Sequence, residues 1–396
     1  MTLFAALGFA VFAVRAAEPP PAPPLLAEID RIVRAEFWDP KLSGADWDGA
    51  VRRAASEIAA AADAPARDAA YDRLLAVLRD SHTFRLAAAL PDRLATAGVR
   101  IGRDGDGYAV KGVLPGRAAE RAGMRVGDRV LAVGGRRYGN EPVNFRDLFF
   151  VFEGKPGTDV AVTWKSGDAA EKTSVLRREP EEPGDTLVWK SARVIDRGGK
   201  RYGYLRLWGM SAETALAVVD LLLDREESAR AKPELAGWAA IEGVLLDVRA
   251  NSGGYDPNIL TTFLRGQWSA GDYEVVTREG SRLAPPVYRP LPVALLVNSG
   301  TASAGEALAL KFRAHAIGPI VGETTAGMLS GGAAADKLSD GSTLFISRRA
   351  IRDRDGKSYE GRGVDPDVVA ADRPPAAPGQ EDAIVEAGIR ALAGAR

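Results

Sequence analysis

Two runs in the second half of the chain, Gly243-Val244-Leu245-Leu246-Asp247-Val248 and Val293-Ala294-Leu295-Leu296-Val297, are apolar at consecutive rather than alternate positions. Side chains alternate across a strand, so such a run must be covered on both faces. A largely parallel sheet with helices above and below supplies that cover, and the runs therefore predict an α/β domain. Their surroundings agree: Tyr202-Gly203-Tyr204-Leu205-Arg206-Leu207 reads as a strand, Ala212 to Glu226 and Ala304 to Ala314 as helices, and Ile320-Val321-Gly322 as a further strand. The domain is expected over 185–373, after a linker at Glu179-Pro180-Glu181-Glu182-Pro183-Gly184, with a tail or helix over 374–396. No internal repeat is present.

The preceding segments differ in pattern. From Leu25 to residue 91 apolar residues recur at helical spacing (Leu26, Ile29, Ile32, Val33, then Ile58, Tyr71, Leu74, Leu75, Leu78), with Pro65 as a breaker. This predicts a helical domain that ends in Leu78-Arg79-Asp80-Ser81-His82-Thr83. Over 92–180 short β-branched runs alternate with Gly-bearing turns, as in Val99-Arg100-Ile101, Val130-Leu131-Ala132-Val133 and Val160-Ala161-Val162-Thr163-Trp164. Within them, the string from Leu114 to Gly135 encodes a short helix closed by Gly123, a tight turn at Gly127-Asp128 and a strand. At the start of the chain, the apolar run Leu3 to Val14 is too short for a comfortable membrane span. With Ala16 and Ala17 behind it, it reads as a signal peptide over 1–17, although it lacks a basic first segment. Residues 18–24 are a Pro-rich linker, and the mature protein is expected to be exported, periplasmic or extracellular, without an integral membrane domain.

Composition removes several classes of function. Lys and Arg number 52 against 53 Asp and Glu, a formal charge of -1, so no bulk field is available to hold a nucleic acid. The absence of Cys excludes disulfides, thiolate metal sites and a cysteine nucleophile. With two His in the chain, His82 and His315, any chemistry that needs an imidazole has two candidates.

Two segments are suited to chemistry. Asp247-Val248-Arg249-Ala250-Asn251-Ser252-Gly253-Gly254 follows a buried strand, and its glycines allow backbone N–H groups to turn into a crevice. Asn298-Ser299-Gly300-Thr301-Ala302-Ser303-Ala304-Gly305-Glu306 joins a strand to a helix, where a hydroxyl lies at the positive helix end beside free N–H groups. The same position suits an ordinary helix cap, a role open to Ser299, Thr301 and Ser303.

The 114–135 string resembles the PDZ signature. That resemblance implies that Gly98, Val99, Arg100 and Ile101 receive a peptide tail by strand addition. Together the segments resemble the S41 family of serine peptidases, the C-terminal processing and tricorn-type proteases. The resemblance implies an α/β peptidase core of the ClpP/crotonase-like type, a β-sheet with flanking helices, joined to an N-terminal helical domain and a small β-rich PDZ domain. By the same resemblance Ser303 is the nucleophile, and Ala304 with Gly253 or Gly254 forms the oxyanion hole. The Ser-Lys branch of the family carries its lysine after a Gly-Glu segment; here Gly322-Glu323-Thr324-Thr325-Ala326-Gly327-Met328 puts Met328 at that position, and a thioether takes no proton. The tricorn-like branch instead uses a His from a Ser-His pair and a Glu before a Gly-Val-x-Pro-Asp motif. Those positions hold His82, with Ser81 in support, and Glu360 ahead of Gly361-Arg362-Gly363-Val364-Asp365-Pro366-Asp367.

Elementary chemistry is consistent with that carry-over. A neutral imidazole can take the serine proton and return it to a leaving amine, and a carboxylate can orient the ring. His315 closes the helix that follows Ser303, about 15 Å away at 1.5 Å per residue, and reads as a C-terminal cap. Lys311 is likewise about two turns down that helix and is discounted as a base. Asp355-Gly356-Lys357-Ser358 lacks the upstream glycine of a phosphate loop, and Asp365-Pro366-Asp367 reads as a turn rather than a metal site. The expectation is a serine endopeptidase without metal or cofactor, acting on protein or peptide substrates. The alternatives are a non-proteolytic ligand-binding protein on the same scaffold and a serine esterase, whose Gly-x-Ser-x-Gly elbow is missing around Ser303.

Overall fold

A computed structural model describes residues 23–87, 95–139, 144–255, 258–266, 275–276, 282–283, 290–375 and 380–394. The expected leader, and the linker as far as residue 22, lie outside these residues.

The consecutive apolar runs lie where their composition requires. In a six-stranded sheet the order is Arg193–Arg197, Lys200–Arg206, Gly243–Asp247, Val293–Val297, Ile320–Gly322 and Val368–Val369, the first pair antiparallel and the others parallel. Val244, Leu246, Val293, Leu295 and Val297 point into one apolar cluster with the helices Ala212–Leu223, Asn258–Leu264 and Ala304–Ala314. Their neighbours Leu245, Ala294 and Leu296 pack the other way, against Ile384, Val385 and Ile389 of the C-terminal helix Ala383–Gly394. Full burial of a Leu or Val side chain contributes about 1.5–3 kcal/mol, so this two-sided cover is the main reason the layers hold.

The N-terminal helices are Pro24–Glu36, Trp47–Ala60 and Ala64–Ala76. The first begins at Pro24 rather than after it, since a proline is favoured in the first helical turn. Their apolar faces close over Leu338, Leu344 and Ile346 of the core. The segment after them departs from the helical reading: Phe84–Leu86 is a strand, paired antiparallel with Thr343–Ala350, which in turn pairs with Ser330–Lys337. That pairing fixes residues 80–83 against the hairpin.

The β-rich unit has its strands in the order Val99–Asp104, Gly107–Val113, Arg129–Val133, Asp159–Lys165 and Lys172–Arg177. The short helix Ala118–Arg121 is followed by Gly123 at φ +80°, and Gly127 turns at φ +94°, as the 114–135 string requires. Its core, built on Val99, Ile101, Val110, Phe149 and Trp164, also takes in Ala302 and Met328 from the α/β domain. Among the described residues no helix is long and apolar enough to cross a membrane.

Candidate active site

Ser303 stands between Val293–Val297 and the helix Ala304–Ala314 with φ 54° and ψ -121°, a conformation costly for a residue with a Cβ. The turn is held by its surroundings. Ser303 N–H donates to the Met328 carbonyl at 3.0 Å and to Glu306 Oε2 at 3.2 Å, and Ala302 N–H donates to the Asn251 carbonyl at 2.9 Å. This is the geometry of a nucleophile elbow, reached with Thr301 in place of the first glycine of that motif.

His82 Nε2 lies 3.2 Å from Ser303 Oγ. Two hydroxyls contact its other nitrogen: Ser81 Oγ at 2.9 Å and Ser330 Oγ at 3.0 Å from Nδ1. Glu360, expected on that nitrogen, instead accepts the backbone N–H groups of Ser81 and Leu329, both at 2.7 Å. It reaches the ring through Ser81, because its two oxygens are already occupied in bridging the 80–83 turn to the 327–330 loop. A second carboxylate is equally close to the relay. Asp80 Oδ1 accepts from His82 N–H, Thr83 Oγ1, Ser330 Oγ and Ser347 Oγ.

Burial is the largest influence on these groups. It lowers His82 to about 4, opposed by the Asp80 charge. It raises Glu360 to about 7, with Asp80 adding to the rise and the Ser81 and Leu329 hydrogen bonds working against it. Glu306, fully buried, is likewise raised to about 7 by burial, although Thr325 Oγ1 and the N–H groups of Gly327, Met328 and Ser303 all donate to it.

The N–H groups expected to face an oxyanion separate into two kinds. Those of Ala304 and Gly254 make no hydrogen bond to any described residue. That of Gly253 donates to Asn251 Oδ1 at 2.8 Å and is not available. Gly253 is required for a different reason: at φ +87°, a Cβ on it would lie 2.5 Å from Ser303 Cβ.

Of the residues expected to receive a peptide tail, Gly98 donates its N–H to Thr96 Oγ1 at 3.1 Å, and buried Arg100 pairs with Glu153 and Glu181. Val99 and Ile101 are buried on the outer strand of their sheet. Further along that strand, Gly102 packs flush against the Ser299-Gly300 backbone, and the Arg103 carbonyl accepts from Ser299 Oγ at 2.7 Å. The β-rich unit thus touches the loop that carries Ser303. Met328 is buried in the apolar cluster beside Ala302, and His315 caps the far end of the helix.

Asp80, Ser330, Ser347 and Glu306 were not among the expected site residues. Asp80 stands in the Leu78 to Thr83 string beside His82 and Glu306 in the Asn298 to Glu306 segment, so proximity in sequence was a usable signal for them. Ser330 and Ser347 enter through hairpin pairing, which leaves no local trace. Among the described residues no group of three His, Asp or Glu side chains could hold a metal ion.

Comparison with known proteins matches these features to families. Residues 201–370 match the model of peptidase family S41, and residues 90–147 that of the PDZ domain. The chain is 28% identical over 374 residues to tricorn protease homolog 1 of Streptomyces coelicolor, covering 88% of this chain and 33% of the relative. It is 27% identical to a chloroplastic C-terminal processing peptidase of Tetradesmus obliquus, covering 76% and 67% of the two. The chain therefore spans about a third of the tricorn homologue's length. In fold it is similar to a photosystem II D1 C-terminal processing protease, with a TM-score of 0.56 and 23% identity over 87% of this chain and 92% of that one.

Proposed function

With residues 201–370 a peptidase family S41 domain and residues 90–147 a PDZ domain, we propose that this chain is a serine endopeptidase acting on protein or peptide substrates. The observation that carries the reading is the 3.2 Å contact between Ser303 Oγ and His82 Nε2 at the start of a helix. Ser303 Oγ attacks the scissile carbonyl while His82 Nε2 takes its proton. The oxyanion lies against the N–H groups of Ala304 and Gly254 at the positive helix end. His82 then returns the proton to the leaving amine, and water resolves the acyl-enzyme by the same route in reverse. With burial holding His82 at about 4, the imidazole is neutral at physiological pH and ready to accept. Its Nδ1–H is received by the Ser81 and Ser330 hydroxyls; the Ser330 hydroxyl leads on to Asp80, and Glu360 holds the Ser81 backbone N–H.

The PDZ domain binds the C-terminal tail of the substrate by adding it to the strand Val99–Asp104, and the leader over 1–17 directs export. The outer position of that strand and its contact with the Ser299-Gly300 backbone support the first of these.

The test is hydrolysis of an unfolded protein by the wild type and by Ser303→Ala, together with labelling by a fluorophosphonate. Loss of both in the variant is expected. Equal hydrolysis by both proteins would overturn the assignment. Cleavage of simple esters without any peptide hydrolysis would make the chain an esterase, and no labelling of wild type would favour a ligand-binding protein.

A further inference from the structure

Phe145 belongs to the PDZ-matched residues, yet its ring lies on the imidazole of His82, with centroids 4.6 Å apart and planes 28° from parallel. Its backbone N–H donates to the Ser81 carbonyl at 2.9 Å, so main chain and ring both hold the turn that carries the histidine. The ring is itself clamped. It meets Phe149 at 4.5 Å and Phe150 at 5.9 Å, and Phe149 is buried in the PDZ core. On the other side Arg146 bonds Asp72 and the Arg85 carbonyl of the N-terminal region. No other aromatic ring among the described residues stacks on His82.

We propose that Phe145 is a positioning residue for His82: its ring keeps the imidazole aimed at Ser303 and shuts water away from that face, so that the PDZ domain contributes directly to the base. The inference rests on the peptidase reading for its kinetic consequence but not for its physical one. Stacked rings attract beyond their burial alone, which favours one ring orientation. The other faces of His82 are met by Asp80 and Ser81 from its own turn, by Ser303, and by Ser330 backed by Ser347, with Glu360 behind Ser81. Phe145 brings no charge, and the charged neighbours on its segment, Arg146 and Asp147, are paired with Asp72 and Arg136. Its removal therefore acts through solvent access and orientation.

The experiment uses the full chain in the Ser303→Ala background with labelled histidine, where two resonance sets are expected and His315→Asn assigns them. Phe145→Leu should remove the ring-current shift of the His82 signals and move their titration midpoint upward, while Phe145→Tyr leaves both close to wild type. In the active chain Phe145→Leu should lower kcat about 10- to 100-fold with KM little changed, and shift the acidic limb of the pH profile upward. Phe145→Tyr should restore activity. Unchanged His82 shifts and midpoint in a folded Phe145→Leu protein would overturn the proposal, as would kcat and limb at wild-type values. Failure of the peptidase reading would appear separately, as absent hydrolysis in a protein whose His82 signals still respond to Phe145.

Discussion

The carbonyl of Met328 accepts the backbone N–H of Ser303 at 3.0 Å, while its side chain lies buried beside Ala302 in the cluster shared with the PDZ core. The position that carries the base in the Ser-Lys branch is thus a main-chain support and an apolar packing site. Met328→Ala should keep the chemistry, since the carbonyl remains, but lose about 2–5 kcal/mol of stability, read from denaturant unfolding. Met328→Lys should lower stability further without restoring activity to a His82→Ala protein, because the amine would be buried in the apolar cluster beside Ala302.

Gly253→Ala tests the close approach to Ser303. A methyl group there must displace the Ser303 side chain or the Gly253-Gly254 backbone, so kcat should fall by roughly 10²-fold or more, with the fold retained by circular dichroism. Activity near wild type would show that the Gly253–Ser303 contact is dispensable.

The low value of His82 sets the acidic limb of the rate profile. With the imidazole at about 4, kcat/KM should stay level from neutrality down to about pH 5 and then fall tenfold per unit below pH 4. A limb near 6.5 would mean that the ring is solvated in the free enzyme.

Glu306 predicts the opposite trend in stability. Its carboxyl is raised in the folded state to about 7, so between about 4.5 and 7 the folded chain holds the extra proton. Its contribution therefore falls as pH rises through that window. Glu306→Gln should flatten this part of the Tm–pH curve. It should also cost activity, because the amide N–H group would face the donors of one former carboxylate oxygen, either Ser303 and Met328 or Thr325 and Gly327.

The two carboxylates behind His82 are separable. Asp80→Asn should lower kcat because it removes the charge that opposes the downward shift of the ring, and it should move the acidic limb lower still. Glu360→Gln should act mainly through geometry, with an amide group set against the Ser81 or Leu329 N–H. It should lower both kcat and Tm without moving the limb.

The layers were legible in the sequence because their cause is local. Consecutive apolar residues demand cover on both faces, as Leu245 and Leu246 receive from opposite helices. Period and turn chemistry likewise marked the helical and β-rich units, and the scarcity of imidazole narrowed the base to His82 or His315. What the sequence could not determine depends on which surfaces meet. Whether Glu360 touches the ring or only the Ser81 backbone is decided by the docking of residues 359–361 on the 327–330 loop. The loss of Gly253 as a donor comes from the side chain of Asn251, and the arrival of Ser330 and Ser347 from a hairpin register. Phe145 reaches His82 through the packing of the β-rich unit against the turn that carries it. Local pattern sets which elements form and which faces they bury; hydrogen-bond partners within a site are set by tertiary packing, where each donor goes to the acceptor that geometry brings within 3 Å or so.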